Sequence, residues 1–155
     1  MEHSNKAGTP AWSNITQVGL VVKDVDQAVA RLSSLGVGPF EVRDNHLGEQ
    51  VTYRGKPSDA DVRLGIARIG DVGLELIQHV RGETIYKDFL ESKGEGFQHI
   101  MVAVDDFAKE FEKLTSQGAT VLLHYKGRYR ELAYLDLHIG GLVVEMSNRP
   151  REQSR

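Results

Sequence analysis

Four residues of this chain have the side-chain types and the spacing to share one divalent cation. The segment Ile15-Thr16-Gln17-Val18-Gly19-Leu20-Val21-Val22 returns as Phe97-Gln98-His99-Ile100-Met101-Val102-Ala103-Val104, which puts Gln17 and His99 in register. Each copy continues with an Asp, a helical stretch and a Gly at the same offset, Gly36 and then Gly118. Near the end of each half one carboxylate interrupts a short apolar strand: Glu75 in Leu74-Glu75-Leu76-Ile77, and Glu145 in Val143-Val144-Glu145-Met146. A charge inside such a strand is costly to bury unless something pairs with it. Two of them at matching places suggest a common partner, and a divalent cation is the economical one. Two carboxylates neutralise the ion, while one imidazole and one amide oxygen complete an N/O shell. That mixture suits Zn, Ni, Co, Mn or Fe better than Ca or Mg, which prefer oxygen alone. Four protein ligands on a six-coordinate ion leave two open positions, the mark of a catalytic metal. Taken singly, each residue has a plainer role: Gln17 as a buried amide, His99 as a core histidine, and either glutamate as the partner of an Arg such as Arg63 or Arg68. Only the repeat makes the four a set.

Composition bounds the rest. A chain of 155 residues fits one compact domain, or two small fused modules sharing a core. Hydrophobic content of 40% and charged content of 26% are ordinary for a globular protein. A net charge of −3 offers no general attraction to nucleic acid or to anionic membranes. The absence of cysteine excludes disulfides, thiolate metal sites and a cysteine nucleophile, and is compatible with a cytoplasmic location. No apolar run reaches the ~20 residues of a membrane span.

The elements that must position the four residues follow from periodicity and punctuation. Residues 1–13 and 149–155 read as mobile tails. A first module over 14–82 opens with a strand at 15–22. A helix capped by Asp24 follows, with Val25, Ala28, Val29 and Leu32 on its apolar face. A strand at 40–43 precedes an irregular stretch over 44–61, long enough for a functional loop or lid. A hairpin then turns at Gly70-Asp71. A helical linker occupies 83–96. The second module, 97–148, repeats the order: strand, helix from Asp106 to about Gln117, then three strands. The fold class is α+β, two tandem βαβββ modules, and halves this short need each other to bury a core.

These residues resemble the vicinal oxygen chelate superfamily, which includes glyoxalase I, methylmalonyl-CoA epimerase, extradiol dioxygenases and the bleomycin and fosfomycin resistance proteins. The resemblance covers about Ile15 to Asn148 and is strongest in Gln17 to Asp24, Glu83 to Leu90, Gly94 to Ile100 and Gly140 to Glu145. It implies curved mixed sheets around a metal-containing cleft. It also implies that Gln17, Glu75, His99 and Glu145 are the metal ligands, with Gln17 where the family most often has His. The set Gln, Glu, His, Glu is similar to that of eukaryotic-type glyoxalase I, whereas the wider sequence is similar to the epimerase branch. In either branch a carboxylate takes the proton beside a carbonyl while the metal stabilises the resulting enolate or enediolate. Glu145 is the first candidate base and Glu75 the second. The additional glutamate of the epimerases falls near Arg63 here, which is no base.

The leading expectation is a metal-dependent isomerase or epimerase acting on a small molecule with a carbonyl or thioester group, such as an acyl-CoA. The alternatives are a glyoxalase I-type lyase, an Fe(II) dioxygenase and a non-catalytic ligand- or antibiotic-binding protein. For substrate contacts the basic, aromatic run Tyr125 to Arg130 stands out, with Lys126 and Arg128 as anion contacts. Tyr53, beside Arg54 and after Arg43, belongs to the expected lid. His79 lies on the Glu75 face as an outer neighbour of the site, and His138 reads as exposed. A homodimer is expected.

Overall fold

The structure, a computed structural model, describes residue 12 and residues 14–148. The expected tails lie outside the described residues, apart from Trp12, which packs against one of the two cores. The first half runs β1 (Ile15–Val21), α1 (Val25–Ser34), β2 (Glu41–Leu47), β3 (Val51–Tyr53), β4 (Lys56–Pro57), β5 (Ala60–Ile69) and β6 (Val72–Arg81). After α2 (Ile85–Lys93) the second half runs β7 (Gly96–Val104), α3 (Phe107–Ser116), β8 (Thr120–Lys126), β9 (Glu131–Asp136) and β10 (Val143–Asn148). The helices begin where side chains can satisfy their free N–H groups. Asp24, Thr84 and Asp106 each accept a hydrogen bond from the backbone N–H three residues on.

All ten strands form one mixed sheet in the order β2-β5-β6-β1-β7-β10-β9-β8-β3-β4. The two first strands, β1 and β7, pair antiparallel at its centre, and each has the last strand of its own half parallel on the other side. The repeat in the sequence is therefore a repeat in space about the β1–β7 seam. The sheet is curled into a half-barrel. Its curvature is enforced by a short connection, because β2 lies at one end of the order and β3 near the other, with only residues 48–50 between them. Such a link spans at most ~14 Å, so the two ends of the sheet must approach each other.

Here the structure departs from the expectation of an irregular stretch over 44–61. β2 continues to Leu47, and Val51 to Tyr53 pair with Tyr125 to Leu123 of β8. Val51 and Tyr53 are buried with Thr52 exposed between them, a period of two too brief to register in the sequence. Arg54 (φ 49°) and Gly55 (φ 75°) both adopt the left-handed conformation of a type I′ hairpin turn. Asp88 on α2 accepts from the Tyr53 hydroxyl and, at 2.8 Å, from Arg54. The segment is a strap fastened at both ends, not a loose lid.

Two cores result. The inner one, on the concave side, gathers Val21, Val62, Leu64, Ile77 and Leu123 with Ile85 and Tyr86 of α2. The outer one sets Val102, Val104, Leu135, Val144 and Met146 against Phe107 of α3. On the outer side of the first half α1 packs over β5, where Gly65 gives room: a Cβ there would come within 3.1 Å of Val25 and Val29. No helix among the described residues is long and apolar enough to cross a membrane.

Thr84 is fully buried, and its hydroxyl accepts from Lys87 N at 3.0 Å while meeting His79 Nδ1 at 3.3 Å. Thr84→Ala is expected to cost about 1–2 kcal/mol, read as a lower urea midpoint with an unchanged slope.

Candidate metal centre

Strand register at the central seam decides which side chains meet. Gly19 on β1 lies opposite Glu75 on β6 and opposite His99 on β7. Met101 on β7 lies opposite Gln17 on one side and Glu145 on β10 on the other. Laterally paired residues share a face, so Gln17, Glu75, His99 and Glu145 all project to the concave side. One donor atom from each of Glu75, His99 and Glu145 lies within 4.8 Å of the other two. The Gln17 amide adjoins them, its Nε2 donating to Glu75 Oε2 at 2.6 Å. All four come from a single chain.

His99 carries the strongest evidence for a cation. Its ring is fully buried, and Nδ1 lies 2.6 Å from the Gln98 amide oxygen. An amide oxygen only accepts, so Nδ1 bears a proton and Nε2 is the nitrogen turned toward the cluster. That Nε2 is buried without a hydrogen-bond partner, with Glu145 Oε2 at 3.1 Å and Glu75 Oε2 at 3.8 Å. Two carboxylates and an imidazole nitrogen held this close call for positive charge among them, and a divalent cation would supply it. Zinc-like ions hold such donors at ~2.0–2.2 Å, which puts pairs of donors roughly 3 to 4.4 Å apart. The spacing here matches. Space is provided by Gly19, since a Cβ at that position would lie 2.0 Å from His99 Cε1. Any other residue would push the imidazole out of place.

Electrostatics agree. Burial, then the neighbouring Glu145, push the Glu75 carboxyl up from 4.5 to about 7. A divalent cation would remove that penalty. Gln17, Glu75 and Glu145 line the floor of a cavity of about 710 Å³, with His99 fully buried beside them; Val62, Leu64 and Leu123 wall it and the segment from Leu47 to Val51 bounds it.

The expected substrate contacts fall elsewhere. Lys126 sits exposed at the end of β8, and Arg128 lies over its own neighbour Tyr129 at 5.1 Å; neither lines the cavity. Tyr53 packs in the inner core, with its hydroxyl on Asp88, and is likewise outside the lining. His79 turns to Thr84, and His138 to Thr120 at 2.8 Å. The cavity's cations are instead Arg43 and Arg130, the latter 3.7 Å from Glu145 Oε1. Arg130 belongs to the basic run already singled out, but only the point where β9 begins selects it over Arg128. Tyr86 and Tyr134, which line the floor, carried no signal of their own in the sequence. Arg63 projects away and pairs with Asp26 and Asp44 at 3.0 and 2.7 Å.

The raised Glu75 value makes the metal-free protein pH-sensitive. Folded Glu75 holds its proton more tightly than the unfolded residue, so between 4.5 and about 7 the folded state binds more protons and stability falls as pH rises. Chelator-treated protein is expected to lose about 2 kcal/mol between pH 5 and 7.5 relative to Glu75→Gln, measured by denaturant unfolding at those two pH values. Parallel pH dependence in the two proteins would contradict it.

Residues 16–134 match the family model of the glyoxalase/bleomycin resistance protein/dioxygenase superfamily. The uncharacterized protein YqjC of Bacillus subtilis (strain 168) is 27% identical over 133 residues, covering 79% of this chain and 95% of that protein. Among solved structures, a variant Streptomyces coelicolor methylmalonyl-CoA epimerase in complex with 2-nitronate-propionyl-CoA is similar with a TM-score of 0.68, at 21% identity over 93% of this chain and 99% of that one. Methylmalonyl-CoA epimerase from Mycobacterium tuberculosis gives 0.66 at 18% identity over 93% of each chain. Hypothetical protein BH1468 from Bacillus halodurans C-125 gives 0.64, also at 18%, over 92% of this chain and 97% of that one. The structural likenesses show the fold, and the sequence match spans well over half the chain: it belongs to the glyoxalase/bleomycin resistance protein/dioxygenase superfamily.

Proposed function

We propose that this protein is a divalent-metal-dependent isomerase that moves a proton at the carbon beside a carbonyl, on a small acyl thioester in the manner of an epimerase. The Glu75–His99–Glu145 cluster, whose two glutamates line the cavity, carries this reading. Gln17, Glu75, His99 and Glu145 would hold the ion. A divalent cation bound there supplies Lewis-acid charge to a carbonyl oxygen, which acidifies the adjacent C–H. The remaining work falls to the chain. Epimerisation requires proton removal from one face of a carbon and return to the other, hence two basic groups on opposite sides. Among the described residues lining the cavity the carboxylates are Glu49, Glu75 and Glu145, with Glu49 on the strap and the other two related by the internal repeat. Glu75 and Glu145 are accordingly the proton carriers. No third carboxylate comes from β5, whose cavity-facing residues are Val62, Leu64 and Ile66.

Arg43 and Arg130 come from opposite halves and suit an anionic part of the substrate. Val62, Leu64 and Leu123 exclude water from the reacting carbon. The epimerase fold of the solved neighbours supports the thioester substrate. Gln17 favours a second reading, a glyoxalase I-type lyase working on a hemithioacetal through the same proton transfer.

The two readings separate in heavy water. With 2-methyl-branched malonyl-type thioesters, mass spectrometry is expected to find one deuterium at the carbon between the carbonyls, and Glu145→Gln is expected to slow its uptake at least about 100-fold. Turnover of a glutathione hemithioacetal with no thioester exchange would favour the lyase. Neither activity, with metal bound, would contradict both.

A further inference from the structure

The internal repeat makes one asymmetry informative. Glu75 and Glu145 occupy equivalent places, and so do the residues facing them across the next antiparallel strand: Ile66 on β5 and Tyr134 on β9. One half presents a methyl-bearing side chain to its glutamate, while the other presents a phenol. The Tyr134 hydroxyl donates to Glu145 Oε2 at 3.0 Å and accepts from the Tyr86 hydroxyl at 3.0 Å. Each hydroxyl has one proton, so with Glu145 ionised the chain runs in one direction, Tyr86 to Tyr134 to Glu145. The two rings meet edge-on at 6.1 Å, and Tyr134 also stands edge-on to His99 at 4.9 Å. Tyr134 therefore touches two of the four candidate ligands at once.

We infer that Tyr134, backed by Tyr86, is a positioning residue that fixes Glu145, so that Glu145 is the anchored carboxylate of the pair and Glu75 the adjustable one. Glu75 faces Ile66, which offers no hydrogen bond, and its partner Gln17 is itself a candidate ligand on a flexible side chain. Tyr86 lies on α2, the segment joining the two halves, so the linker reaches the site through two hydroxyl groups. Hydrogen bonds in series polarise one another, and donors behind a ligating carboxylate hold its orientation. The inference rests on the metal-binding reading of the preceding section.

Co²⁺ titration of the chelator-treated full chain by calorimetry tests it, with wild type, Tyr134→Phe and Tyr86→Phe compared and each variant's urea midpoint measured alongside. Both substitutions keep the ring and remove only the hydroxyl. The expected result is Co²⁺ affinity weakened about 10- to 100-fold in Tyr134→Phe and by a smaller factor in Tyr86→Phe, with altered d–d absorption of the bound cobalt. A phenol that served packing alone would lower the urea midpoint and leave affinity and spectrum unchanged; that outcome overturns the inference. Should Tyr134→Phe not fold, wild-type affinity in Tyr86→Phe overturns it equally. Wild type that binds no Co²⁺ fails at an earlier step and overturns the metal reading, and this assignment with it.

Discussion

The structure turns on one juxtaposition: two carboxylates and a fully buried imidazole nitrogen held together at the centre of a sheet. Glu75 and Glu145 are brought together by strand register, not by mutual attraction, and His99 Nε2 faces both. In the metal-free protein the tension emerges as a Glu75 that resists ionisation. A shared cation converts the same geometry from a liability into a binding site, because every group that repels its neighbours there attracts the ion. Gly19 is the clearest sign that the arrangement is built in, since the imidazole occupies the space a side chain would need.

Placing such a site at the β1–β7 seam gives it rigidity. The candidate ligands sit on β1, β6, β7 and β10, four adjacent hydrogen-bonded strands, so their spacing is set by the backbone. Parts that must admit substrate lie further out. The strap of β3 and β4 draws the two ends of the sheet together over the cavity, and Asp88 fastens it to α2. α2 thus serves two ends of one cavity, holding the strap through Asp88 and the floor through Tyr86.

Much of this was legible because a repeat amplifies weak signals. A lone Gln17 or Glu75 says little, yet four polar residues at repeat-related places in apolar strands define a face, and the ladder partners Gly19 and Met101 lie where that face requires. The helix starts at Asp24 and Asp106 were equally plain, because a capping carboxylate before an apolar periodicity is a local signal. What stayed hidden depends on partners distant in sequence. Val51 to Tyr53 is too short a strand to read without β8 beside it. Arg130 and Arg128 differ by two positions, and only the start of β9 decides which faces the cavity. Tyr86 and Tyr134 carried no signal of their own, since a hydroxyl chain to Glu145 needs three elements assembled before it exists.

Elemental analysis of the protein purified without added metal, set against His99→Ala prepared identically, addresses the central claim most directly. About one equivalent of a transition metal per chain in the wild type, and loss of it in the variant with the fold retained, is the result this account predicts. A wild type that carries none, and takes up none when offered Zn, Ni, Co, Mn or Fe(II), would contradict it.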